Sequence, residues 1–196
     1  MKKTLYLMRH GQTIFNERNI VQGFCDSPLT ELGRRQPLYA KHWFENRNIV
    51  FDHAYSSTQE RASDTLELVT DIPYTRLKAI KEMSFGTFEG KSNDLMHKEV
   101  NWTEDPDAMV KFGGESFSDV QNRVVSALTE VMSQDDHLNV LAVSHGCTIF
   151  AFAHKWIPNL TRDRFQMSNC CILKFKYEDG KFNFIEDISH DFDQEL

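Results

Sequence analysis

Two apolar runs in this chain end in the same way. Thr4 to Met8 stops on Arg9-His10-Gly11, and Val140 to Val143 stops on Ser144-His145-Gly146. Imidazole serves near neutral pH as a base, a nucleophile or a ligand, and guanidinium is a forked donor matched to oxyanions. In an open α/β sheet, ligands bind beyond the carboxyl ends of the parallel strands. Glycine at such an end permits a tight turn and close backbone approach, so Gly11 and Gly146 are expected to face a ligand. Arg61, in SSTQERASDT, is a third candidate. It falls in the first turn of an expected helix, where the partial positive charge of the helix end disfavours a cation. It is either a solvated side chain paired with Glu60 or Asp64, or a cation facing an anion together with free backbone N–H groups. Arg9, Arg61, His10 and His145 together suit a phosphate dianion.

The chemistry narrows by what is missing. The sequence has no GxxxxGK[ST] loop, GxSxG elbow or HExxH pair, which removes three common routes to phosphoryl, acyl and zinc chemistry. The eight histidines are scattered singly, so no metal site is expected. A neutral imidazole can itself attack phosphorus. Transfer in two steps then needs a cationic cradle for the equatorial oxygens and a carboxylic acid to protonate the leaving oxygen.

The elements that must hold these groups alternate in type. Apolar runs at residues 3–9, 52–56, 75–79 and 138–143 read as strands, separated by amphipathic helices, the pattern of a mainly parallel sheet covered on both faces. One helix is expected from a Thr30 cap to about Asn46, with a kink or early stop at Pro37. Thr58 is expected to cap a second, running to about Thr70. Ser116 and Asp119 resemble a capping box opening a third, with Phe117, Val120, Val124, Leu128 and Val131 on one face. A fourth follows from Cys147 to about Lys155. Residues 92–114 are polar and irregular, with room for one short helix. The end, CCILKFKYEDGKFNFIED, alternates on both sides of Asp179-Gly180 and reads as an antiparallel edge hairpin. The tail HDFDQEL is expected to be loosely packed.

Bulk properties bound the rest. A chain of 196 residues with 40% hydrophobic residues fits one α/β domain, residues 1–196, built as a three-layer α/β/α sandwich with an antiparallel edge. A net charge of −7 argues against a nucleic-acid face. The N-terminal apolar run is too short for a signal peptide, and no segment is long enough for a membrane helix, so a cytoplasmic location is expected. Cys25, Cys147, Cys170 and Cys171 show no CxxC spacing and read as reduced thiols.

Five blocks also carry a resemblance. LYLMRHGQTIFNERNIVQGFCDSPLTELG, SSTQERASDT, EMSFGTFEG, FGGESFSDVQNRV and VSHG, in that order across residues 5–146, resemble the phosphoglycerate mutase-like branch of the histidine phosphatase superfamily. That resemblance implies His10 as the nucleophile that becomes phosphohistidine, and Arg9, Arg61 and His145 as phosphoryl-binding groups. It implies Glu82 as the general acid and then the base, with Glu89 as a rival. It places Asn16 and the backbone near Gln22 and Gly23 around the phosphate. His10 among cations is expected to stay neutral, with its Nδ1 hydrogen on a backbone carbonyl and Nε2 left to attack. Ser116 and Glu115 read as helix-start residues.

The same site could pass the phosphoryl group to water or to a phosphorylated glycerate. Lys91, Lys98 and Lys111 in the segment after the acid motif are outnumbered by Asp94, Glu99, Glu104, Asp105 and Asp107, a poor clamp for a doubly anionic glycerate. A phosphomonoester hydrolase acting on a small phosphorylated metabolite, without cofactor, is therefore expected. A cofactor-dependent phosphoglycerate mutase and a non-catalytic phospho-ligand binder are the alternatives. Residues 83–115, with Met96, Trp102 and Phe112, would form a partly apolar lid suited to a bulkier leaving group. Oligomeric state is left open.

Overall fold

The computed structural model describes residues 3–102, 104–161, 164 and 167–193. Six strands form one sheet: β1 (Lys3–Arg9), β2 (His53–Ser57), β3 (Tyr74–Leu77), β4 (Asn139–Ser144), β5 (Ile172–Glu178) and β6 (Lys181–Ile188), in the order β3-β2-β4-β1-β5-β6. The first four of that order run parallel, while β5 pairs antiparallel with β1 and β6 with β5. The helices are α1 (Ile14–Glu17), α2 (Glu31–Glu45), α3 (Glu60–Val69), α4 (Asn93–Glu99), α5 (Phe117–Ser133) and α6 (Gly146–Trp156). No helix among the described residues is long and apolar enough to cross a membrane.

Strand β1 shows why its sequence is a continuous apolar run. Leu5 and Leu7 pack with Val124, Leu128, Ile149 and Phe152 of α5 and α6. The alternate residues Tyr6 and Met8 pack with Ala40, Phe44, Ala62 and Leu66 of α2 and α3. Period-2 alternation between two covered faces leaves no polar position until the strand leaves the core. Each fully buried side chain of this size contributes about 1.5–3 kcal/mol. A third cluster, with Met83, Phe85, Phe88, Met96, Val100 and Met109, packs the segment after the sheet's edge onto Val120 of α5 and Ala151 of α6.

Three local expectations change. Pro37 does not end α2, which continues to Glu45. The carbonyl that Pro37 cannot satisfy belongs to Gly33, and that oxygen lies against the α-carbon of Gly11. The N-cap of α3 is Gln59 rather than Thr58, and it makes no side-chain cap bond. Asp26, from the preceding loop, accepts the N–H of Glu60 instead. The C-terminal tail is docked as far as it is described: Phe192 packs edge-on against Tyr39, whose hydroxyl donates to the Phe192 carbonyl at 3.1 Å. Residues 194–196 of that tail lie outside the described residues. The hairpin turns at Asp179-Gly180, both at positive φ, as the primed turns of tight hairpins require.

The Gly11–Gly33 approach joins β1's exit to α2. A Cβ on Gly33 would fall 1.8 Å from the Gln12 carbonyl oxygen, so Gly33→Ala should cost about 1–3 kcal/mol or more by overpacking. The expected reading is a lower urea midpoint with an unchanged slope; an unchanged midpoint would show that the two turns are not locked.

Candidate active site

The carboxyl ends of the parallel strands converge as the sequence suggests. Strand β1 delivers Arg9 and His10, β4 delivers Ser144 and His145, and β2 delivers Ser57 just before Gln59 and Arg61. The chain leaving β3 arrives at Glu82. His10 and His145 are both buried, with ring centroids 5.2 Å apart.

His10 Nδ1 lies 2.7 Å from the Gly11 carbonyl oxygen. A carbonyl only accepts, so Nδ1 carries the hydrogen and Nε2 keeps its lone pair. The Gly11 N–H donates to Thr65 Oγ1 at 2.9 Å, and Asn169 Nδ2 donates to the His10 carbonyl at 3.0 Å. Both polar groups of Gly11 are thus spent on holding His10, and its close approach is to Gly33 rather than to a ligand. Burial pushes the His10 imidazole well below its ordinary pKa, and the Arg61 and Arg9 charges push it further. The ring is neutral and nucleophilic at neutral pH.

His145 is held by Ser57, whose Oγ lies 2.8 Å from Nε2. That oxygen already accepts the Gln59 N–H. The Ser57 hydroxyl also lies 3.4 Å from Gln59 Oε1, to which it can donate. Burial, then Arg61, keep His145 well below its ordinary pKa. The ring is neutral, and its Nδ1 is a buried atom without a partner among the described residues.

Arg61 is 1% exposed. Its Nη1 donates to the Cys25 carbonyl at 3.0 Å and to Asp26 Oδ1 at 2.7 Å, and Nη2 donates to the Gly23 carbonyl at 3.0 Å. Neither Glu60 nor Asp64 is its partner. Asp26 neutralises the cation that the helix start disfavours, and it caps that same start. Arg9 Nη1 donates to the Met167 carbonyl. No carboxylate pairs with Arg9 among the described residues.

Six buried side-chain nitrogens lack a hydrogen-bond partner among the described residues, and four of them belong here: Arg9 Nε, Gln22 Nε2, Arg61 Nε and His145 Nδ1. The nitrogens of Arg9, Gln22 and Arg61 are donors. A buried donor left without an acceptor costs about 1–3 kcal/mol, so three around one cavity suit an acceptor-rich ligand. A cavity of about 150 Å³ is lined by Arg9, His10, Asn16, Gln22, Gly23, Arg61 and Glu82, among others. Asn16 Oδ1 is occupied by the Thr13 N–H in the cap of α1.

Glu82 is held from every side. Its Oε1 accepts from the N–H groups of Met83 and Thr148 and from the Thr148 hydroxyl, and Oε2 accepts from the Cys147 N–H at 3.2 Å. Its own N–H donates to Gln59 Oε1 at 2.8 Å, while Gln59 Nε2 reaches the Gly23 carbonyl. Arg123 donates to the carbonyls of Ala79, Lys81 and Glu82 and closes a bidentate pair with Glu115 at 2.9 Å. Sequence reasoning missed Ser57, Gln59, Thr148 and Arg123. Arg123 stands in the quoted block FGGESFSDVQNRV, but besides Glu115 its partners are backbone carbonyls more than 40 residues away. Glu115 does more than start a helix. Glu89 is placed elsewhere: its oxygens take the N–H groups of Phe85 and Cys25 and the Ser84 hydroxyl, tying two loops together.

A second cavity, of about 290 Å³, opens beside the first and is walled by Met83, Phe117, Cys147, Phe150, Met167 and Gly146. Arg9 and Glu82 line both. A Cβ on Gly146 would sit 3.7 Å from Arg9 Nε and 4.0 Å from Glu82 Oε2, so the absence of a side chain keeps this junction open.

Comparison with known proteins agrees with this geometry. The family model of the histidine phosphatase superfamily (branch 1) matches residues 5–187. A Hydrogenobacter thermophilus protein named "Putative phosphoserine phosphatase 2" is 39% identical over 157 residues, covering 76% of each chain. A Salmonella paratyphi A protein named "Probable phosphoglycerate mutase GpmB" is 28% identical over 193 residues, covering 91% of this chain and 86% of that one. The crystal structure of a Bacillus anthracis phosphoglycerate mutase superposes with a TM-score of 0.84 at 25% identity, covering 94% and 92%.

The buried neutral histidines set a pH dependence. Each becomes an ordinary imidazole, near pH 6.5, on unfolding, so below that pH the unfolded chain binds protons that the folded one refuses. Stability is therefore full above about pH 6.5 and falls as the pH drops, by up to about 1.4 kcal/mol per unit per group. Urea midpoints from pH 8 to 5, in buffer free of phosphate and sulfate, should show this fall. His10→Gln should flatten it; an unchanged slope would mean that His10 is not buried neutral.

Proposed function

This chain belongs to the histidine phosphatase superfamily, branch 1, and on that footing we propose that it hydrolyses small phosphomonoesters through a phosphohistidine on His10. The observation that carries the reading is one cavity lined both by His10, with its free Nε2 lone pair, and by three unpartnered donors on Arg9, Gln22 and Arg61. Phosphoryl oxygens would accept from Arg9, Arg61, Gln22 and His145 while His10 Nε2 attacks phosphorus. The bond to the leaving alcohol breaks, and Glu82, standing between the two cavities, gives that oxygen its proton. The ester's organic part lies in the second cavity. Water enters next, Glu82 takes its proton, the P–N bond breaks, and phosphate leaves.

Transfer to water is favoured over transfer to a glycerate by the charges present. The described residues lining the two cavities include two cations, Arg9 and Arg61, and both belong to the phosphoryl end. Lys91 and Lys111 lie toward the rings of Phe88 and Phe112 instead. Residues 83–115 act as the wall of the site within a single domain. The likeness to a named phosphoserine phosphatase makes O-phosphoserine the first substrate to try. Four free cysteines support a reducing compartment such as the cytoplasm, and the net charge of −7 supports a small-molecule rather than a nucleic-acid partner.

Phosphate release from p-nitrophenyl phosphate and O-phosphoserine should be lost in His10→Ala, together with any acid-labile phosphoenzyme. Glu82→Gln should cost about 10²–10⁴-fold on O-phosphoserine, and less on p-nitrophenyl phosphate, whose phenolate leaves without a proton. Equal losses would remove Glu82 from the acid role. Efficient conversion of 3-phosphoglycerate to 2-phosphoglycerate, with the bisphosphoglycerate present and little phosphate released, would make the chain a mutase.

Arg123 touches no substrate in this scheme; it positions Glu82. Arg123→Gln should lower kcat about 10–100-fold with KM little changed, the effect of a displacement of about 1 Å. The loss should again be smaller for p-nitrophenyl phosphate. A loss equal on both substrates would mean that Arg123 supports the fold rather than the acid.

A further inference from the structure

At the other end of the sheet, where the parallel strands begin, a second group of titratable side chains converges. His53 opens β2, and Asp136 and His137 immediately precede β4. Asp136 Oδ2 lies 3.1 Å from His53 Nε2, and Asp136 Oδ1 lies 2.8 Å from His137 Nδ1. One nitrogen from each ring and one carboxylate oxygen fall within 4.8 Å of one another.

We propose that His53, Asp136 and His137 form a binding site for one divalent transition-metal ion, at the end of the sheet opposite the phosphoryl cavity. Two imidazoles and a carboxylate suit zinc, nickel or copper rather than the all-oxygen preference of magnesium or calcium. Bond lengths of about 2.0–2.2 Å around a tetrahedral ion put ligand atoms roughly 3.3 Å apart; each imidazole already stands 2.8 or 3.1 Å from a carboxylate oxygen, and the set of three within 4.8 Å. Water fills the remaining positions.

The site is built, not merely a surface coincidence. His137, with 7% of its side chain exposed, has its other nitrogen 2.6 Å from the Tyr55 hydroxyl. That is the outer partner which fixes ring orientation and tautomer at ligating histidines. Asp52 Oδ2 accepts the N–H groups of Leu138 and Asn139 at 3.0 and 2.7 Å, so the backbone beside His137 is anchored to the start of β2. The rings of His53 and His137 stack at 3.7 Å and 7°, so their in-plane lone pairs run nearly parallel from nitrogens within 4.8 Å of each other. His53, with 34% of its side chain exposed, has the freedom to tilt so that the two lone pairs meet on one ion. Such an ion would tie β2 to its sheet neighbour β4 and take no part in phosphoryl transfer.

The test uses zinc chloride on the untagged full chain, followed by calorimetry and by competition with a chromophoric chelator. The expected result is one zinc per chain in the micromolar range or tighter, weakened about 10-fold or more in His53→Ala and in Asp136→Ala, and unchanged in His10→Ala. Wild-type phosphate release by His53→Ala would show that this variant is folded. Cobalt(II), as a spectroscopic stand-in, should give visible bands that His53→Ala abolishes. Two results would overturn the proposal. Failure of the wild type to take up zinc stoichiometrically would leave a hydrogen-bonded clamp. Uptake that survives His53→Ala and Asp136→Ala but is lost in His10→Ala would put the ion in the phosphoryl cavity.

Discussion

The burial of Arg61 organises this molecule's working end. A guanidinium taken out of water is tolerated only when its charge and its donors are met. Two loop carbonyls and Asp26 meet most of them. The loop of residues 23–26 is therefore shaped by the cation it surrounds, and Gly23 is held at positive φ with no room for a Cβ. Arg61 Nε stays without a partner among the described residues, and the side chain lines the same cavity as Arg9 and Gln22. Burial above all, and the same charge after it, keep His10 and His145 neutral. One side chain thus shapes the loop and, on the proposed function, attracts the anion and helps to preserve the lone pair of His10.

Glu82 is governed by a different logic. Its carboxylate sits against the first turn of α6, whose free N–H groups hold it in place. Its backbone is fixed separately, by Gln59 on one side and the Arg123–Glu115 pair on the other. Gln59 also holds the Gly23 carbonyl, so the acid and the anion-binding loop share one bracket. A general acid must reach an oxygen that exists only once the ester is seated, and a carboxylate anchored through both backbone and side chain reaches it without reorganising.

Sequence made the proposed nucleophile legible because strand chemistry exposes it. An apolar run with two covered faces has one place to turn polar, its end, and both histidines stand there. Arg61 was legible as a cation that breaks a helix rule, although its compensation by Asp26 was not, since loop carboxylates carry no periodicity. Ser57, Gln59 and Arg123 were hidden for a related reason. Gln59 and Arg123 act largely through backbone groups that every residue possesses, and Ser57 acts on a histidine 88 residues away, so their partners leave no local mark in the sequence. Pro37 misled for the converse reason: the break it predicts is absorbed by a carbonyl that finds a place against Gly11, 22 residues earlier. The His53, Asp136 and His137 cluster was invisible because two strands that are neighbours in the sheet are far apart in the chain.

The form of the site follows from the donors it leaves for a ligand. Arg9 Nε, Gln22 Nε2 and Arg61 Nε have no partner among the described residues, and all three residues line one cavity. A buried donor left without an acceptor costs about 1–3 kcal/mol, so walls free to collapse would bring protein acceptors to these groups. The locked Gly11–Gly33 turn and the Arg123 bracket hold those walls apart. On the proposed function, that rigidity keeps the donors in position for an incoming phosphoryl group.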